Sequence, residues 1–83
     1  MGPRANEIDE IRWRMRVTNL EARIELREID IAAFTREIAS PLTPAARRAE
    51  LTARRTALGA EVFKLKAELD QMRRSIPARA FEH

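Results

Sequence analysis

The sequence predicts an all-α protein: an antiparallel αα-hairpin with coiled-coil-like packing, which self-associates into a four-helix bundle. Three observations predict it. Proline-containing breakers divide the 83 residues into two uninterrupted stretches. Both stretches are built of Ala, Glu, Arg and Leu, which are strong helix formers. In each, apolar residues recur at alternating spacings of three and four, the period of a coiled-coil seam.

The elements follow in chain order. Residues 1–6, opening Met1-Gly2-Pro3, read as a flexible N-terminus. Asn6 is a good N-cap, and Glu7, Asp9 and Glu10 suit the positive end of a helix dipole. The first helix is expected over 7–39, with one stripe of Trp13, Val17, Leu20, Ile24, Ile31, Phe34 and Ile38. Residues 40–43 form the loop, because Ser40 precedes Pro41 and is biased away from helix. Thr43-Pro44 reads as an N-cap followed by a first-turn proline. The second helix is expected over 44–76, with a stripe of Leu51, Leu58, Val62, Leu65, Leu69, Met72 and Ile76. Arg73 and Arg74 fall in its last turn, where cations are favoured. The tail 77–83 begins at Pro77 and carries one apolar anchor, Phe81, which either docks near Trp13 or stays free. A loop this short makes the helices antiparallel neighbours, each about 50 Å long.

Loop position fixes the register. Facing residue numbers add to a constant in an antiparallel pair, so the layers become Ile31/Leu51, Ile24/Leu58, Leu20/Val62, Val17/Leu65 and Trp13/Leu69. The flanking positions then pair Arg16/Glu68, Arg23/Glu61, Asp30/Arg54 and Glu37/Arg47, all opposite in sign. A slip of one heptad sets Asp30 against Glu61. Exposed pairs of this kind select register more than they add stability. One layer departs from the apolar rule: Arg27 and Arg55 occupy seam positions. Two buried, unpartnered guanidinium groups are costly, so both are expected to turn outward to Glu28 and Asp30. The sharper alternative is an anion or carboxylate site between the helices.

A second apolar stripe marks the far side of the first helix: Ile8, Ile11, Met15, Ala22, Leu26, Ile29 and Ala33. The second helix has a counterpart in Ala49, Ala53, Ala60, Phe63 and Ala67. A lone hairpin uses only its inner faces, and a helix apolar on two sides normally lies between two neighbours. Ile8, Ile11, Met15, Leu26, Ile29 and Phe63 are therefore the candidate oligomer or partner interface, with a homodimer favoured.

Composition narrows the chemistry. The absence of Cys excludes disulfides and thiolate metal sites, and the single His is His83. Glycine-rich phosphate loops and paired His/carboxylate motifs are absent, so no enzyme activity, no metal and no cofactor are expected. No apolar run is long enough to span a membrane, and the opening residues do not resemble a secretory signal, which points to a cytoplasmic protein. Lys+Arg number 16 against 13 Asp+Glu, a formal charge of +3. The functional expectation is a small, non-enzymatic interaction protein that self-associates and binds or inhibits another macromolecule through helical faces, as adaptor, assembly factor or antagonist. The alternative is a nucleic-acid-binding dimer that lays Arg48, Arg55, Lys66 and Arg73, a stripe along one flank of the second helix, against the phosphates of double-stranded RNA or DNA. Arg27 joins these as a candidate anion contact.

Overall fold

In the computed structural model the described residues are 5–76, with backbone alone for Ala5, Asn6 and Glu7. The tail from Pro77, with Phe81 and His83, lies outside them. Two helices fill the described chain: α1, Ala5–Ala39, and α2, Ala45–Arg74. They pack side by side as an antiparallel hairpin of 63 × 20 × 18 Å. The radius of gyration is 18.8 Å, whereas a compact domain of this length has about 12 Å. No helix among the described residues is long and apolar enough to cross a membrane.

The core is one strip of side chains. Leu20, Ile24, Val62, Leu65 and Leu69 are buried together, with Val17, Ile31 and Met72 packed against them. Leu51, close to the loop, is fully buried. All are seam residues expected from the heptad pattern. The flanking pairs Arg16–Glu68 and Glu37–Arg47 both form, each at 3.4 Å, so the helices meet in the expected register.

The ends differ from the expected boundaries for local reasons. α1 already includes Ala5 and Asn6, so Asn6 lies within the helix and is not its cap. Thr43 does not cap α2. Its hydroxyl donates to the Glu37 carbonyl at 2.5 Å, satisfying an acceptor left open at the end of α1. Pro44 takes the cap position of α2 without a side-chain bond, and its carbonyl accepts the Arg48 N–H at 2.9 Å. The loop is a tight turn in which the Thr43 N–H donates to the Ser40 carbonyl at 3.2 Å and Pro41 takes the second position, where its fixed φ is favourable. α2 stops at Arg74, and Ile76 lies beyond it. The residue before Pro77 is disfavoured in helix, and the Ser75 N–H closes the last turn onto the Gln71 and Met72 carbonyls.

The open end of the hairpin is closed by Trp13. Its indole N–H donates to the Met72 carbonyl at 2.6 Å. That carbonyl belongs to the last turn of α2, lacks a partner four residues on within the helix, and is shared with the Ser75 N–H at 3.2 Å. The indole thus links the first part of α1 to the C-terminal turn of α2.

Candidate interaction surface

The seam uses the inner faces of both helices and leaves the outer ones bare. On α1, Ile11, Met15, Leu26 and Ile29 are all more than half exposed, and Ile8 is half-buried. In the middle of this stripe the small side chain of Ala22 leaves a shallow depression, lined also by Arg14, Met15, Thr18 and Asn19. On the opposite side of the hairpin, Phe63 is 76% exposed on α2. A second shallow depression lies nearer the loop on α2, between Ala45, Arg48, Ala49, Thr52 and Ala53. The six candidate interface residues therefore do not form one patch: five share the α1 face and Phe63 looks away from them. Among the described residues Leu42, at the tip of the loop, is the most exposed large apolar side chain, at 89%. Sequence reasoning passed over it, although a Leu between two loop prolines has no helical seam to join.

Charged side chains line both flanks of the hairpin and mostly meet each other. Arg27 Nε donates to Glu61 Oε1 at 3.1 Å, across the interface and not to Glu28 as expected. Glu28 is taken by Lys66 Nζ at 2.9 Å. Arg55 does not reach Asp30. It donates to the Thr35 hydroxyl at 3.4 Å, and that hydroxyl donates in turn to the Ile31 carbonyl. The Arg27/Arg55 layer is thus a polar layer with partners inside the chain. Arg23 is displaced by Arg27 at Glu61, and Arg54 bonds Glu50 on its own helix at 2.9 Å instead of Asp30.

The stripe of Arg48, Arg55, Lys66 and Arg73 is also engaged. Arg48 donates to the Thr43 and Ser40 carbonyls at 3.2 and 3.5 Å, serving the loop. Arg73 pairs with Glu21 at 3.6 Å. Around Lys66 and Arg73 runs a groove that also holds Glu21, Glu25, Glu28 and Asp70, so acids outnumber bases there. Among the described residues no group of three or more His, Cys, Asp or Glu is placed to hold a metal ion.

Among the described residues the arrangement offers an apolar strip on one edge, a single exposed aromatic on the other edge, and charged flanks that are largely self-satisfied. Comparison of the chain with family models, with curated proteins and with solved structures finds no match.

Proposed function

We propose that this chain is a non-enzymatic helical-hairpin interaction protein that self-associates through the outer face of α1 and uses its remaining helical faces to bind or block another macromolecule. The observation that carries the reading is the exposure of Ile11, Met15, Leu26 and Ile29, each between 55% and 67%, along one continuous edge. Monomeric proteins rarely leave such a strip uncovered. A two-helix chain with six buried apolar residues among those described also has little core of its own, which makes further burial by association valuable.

The outer stripe lies about 160–180° from the seam around α1. A dimer formed there sets four helices side by side in the order α2, α1, α1, α2, a four-helix layer with the α1 helices central. Phe63 then stays on the free edge of each copy, available to a second kind of partner. The reading that has Arg48, Arg55, Lys66 and Arg73 contact nucleic-acid phosphates has less support, because Lys66 and Arg73 already face Glu28 and Glu21.

The test is the double variant Ile11→Asp with Leu26→Asp, measured by light scattering beside the unaltered protein. The unaltered chain should run at twice its 9.6 kDa and the variant at 9.6 kDa, with helical circular dichroism preserved in both. An unchanged mass in the variant sinks the reading. A mass shift of the unaltered chain on adding duplex RNA at low salt, lost at moderate salt, would favour the nucleic-acid alternative instead.

A further inference from the structure

We infer that the occupant of the outer α1 face is the same face of a second copy, laid antiparallel, with the twofold axis passing between Thr18 and Asn19. This rests on the self-association reading and adds its register. In an antiparallel homodimer, facing residue numbers again add to a constant. With the axis between Thr18 and Asn19, Ile8 faces Ile29 of the second copy, Ile11 faces Leu26, Met15 faces Ala22 and Thr18 faces Asn19. Every large apolar residue exposed on this face of α1 acquires an apolar partner.

The side-chain sizes match as well. Ala22 floors the shallow depression at the middle of the stripe. Met15, unbranched and 67% exposed, faces that depression from the other copy, and a flexible thioether suits an irregular gap. The polar pair Thr18/Asn19 sits on the axis, where two such pairs form. A central polar layer of this kind fixes register at some cost in stability.

On one flank charge supports the same register: Arg14, which bonds Glu10 of its own helix at 2.7 Å, also comes opposite Glu25 of the second copy, twice by symmetry, by the same offset that sets Arg16 opposite Glu68 within the hairpin. A slip of one heptad in one direction sets Ile8 against Arg36 and Glu21 against Glu25. The opposite slip sets Leu26 against Arg4 and Ile29 against Met1. On the other flank the favoured register brings Arg12 opposite Arg23, a like-charge pair, and salt screens this repulsion together with the Arg14–Glu25 attraction.

The contact strip from Ile8 to Ile29 is about 32 Å long and about 10 Å wide. That footprint is below the roughly 800 Å² per partner of a standard interface, so the dimer is reversible and concentration-dependent.

The chain has no cysteine, so single cysteines report the register cleanly. Four variants are oxidised under mild conditions across about 1 to 500 µM, a range suited to a weak dimer: Thr18→Cys, Asn19→Cys, Ile8→Cys and Ile29→Cys. Expected are disulfide dimers of the Thr18→Cys and Asn19→Cys chains, none of Ile8→Cys or Ile29→Cys alone, and a mixed dimer when those two are combined. Circular dichroism of each variant confirms the helical content. Homodimers of Ile8→Cys and of Ile29→Cys would overturn the antiparallel register in favour of a parallel one. A light-scattering dimer with no crosslink at position 18 or 19 would overturn this register while leaving self-association intact. A monomeric mass across the whole range would overturn both. A second measurement needs no cysteine: Arg14→Glu should weaken the dimer at least tenfold and adding Glu25→Arg should restore it. Failure of the second change to restore it counts against the register.

Discussion

Helix α1 carries two apolar stripes of nearly the same chemistry, and the hairpin treats them in opposite ways. Leu20 and Ile24 keep 5% and 8% of their surface, whereas Leu26 and Ile29 keep 61% and 55%. Hydrophobicity does not separate these pairs. Connectivity does: α2 returns along one side only, and it brings acids and bases to the flanks of that side. Arg16, Arg27 and Glu37 each meet an opposite charge on α2. Beside the outer stripe, Arg14 bonds Glu10 of its own helix at 2.7 Å. The inner stripe is therefore committed to folding and the outer one is left exposed.

The largest expected effect breaks this contrast directly. Leu65→Ala removes a side chain that is 5% exposed from the middle of the seam. Truncations of this kind cost about 2–5 kcal/mol, enough to unfold a thin hairpin at room temperature. Leu26→Ala, an equal truncation at 61% exposure, should change the stability of the monomer by less than about 0.5 kcal/mol. Urea unfolding followed by circular dichroism at low micromolar concentration measures both. Equal losses would mean that the outer stripe also supports the single chain, and the two faces would no longer be distinct in role.

The sequence reveals the seam and the outer face because both rest on period alone, and among the described residues every buried side chain falls at a heptad position. Local exchanges among polar groups were less legible. Thr43 has the chemistry of a cap for α2, yet its hydroxyl serves the end of α1, because the turn folds it back over the Glu37 carbonyl. Arg23 and Arg27 lie one turn apart, and both can reach toward Glu61. Arg27 wins because its seam position starts it nearer the partner helix. Energies separating such choices are a few tenths of a kcal/mol, below what pattern reading resolves. The Trp13 bond to a backbone carbonyl has no sequence signature, since every residue supplies that acceptor. The fold of the single chain leaves the outer stripe uncovered, so in the sequence the site was legible only as an exposed apolar surface.

A smaller effect tests whether the open end is held by the indole bond. Trp13→Phe keeps an aromatic ring in the seam and removes the donor to the Met72 carbonyl. A hydrogen bond of this kind contributes roughly 1 kcal/mol, and the acceptor regains water when the end opens, so the expected loss is about 1 kcal/mol. Hydrogen exchange should accelerate in the last turns of α2, between Leu69 and Arg74, and stay unchanged beside the loop at Leu51. Uniform acceleration along both helices would show that Trp13 contributes through packing and not by closing one end.

The smallest effect sits at Arg27, a charged residue on the seam side of α1 next to Leu26, an apolar residue on the outer side. The pair inverts what simple partitioning demands, so it measures how far charge sharpens the contrast between the faces. Arg27 and Glu61 are 40% and 37% exposed, and water screens much of their attraction. A double-mutant cycle of Arg27→Gln and Glu61→Gln should therefore give a coupling of about 0.2–1 kcal/mol, shrinking further in high salt. Arg27→Leu should leave the hairpin as stable or slightly more so, since an apolar side chain at a seam position often matches or exceeds an ion pair. It should also widen the set of accessible registers, visible as broadened amide resonances at Ile24 and Ile31. A coupling well above that range, or a marked loss of stability in Arg27→Leu, would place Arg27 among the residues that hold the hairpin together, and the inner face would then owe its burial to charge as much as to its apolar stripe.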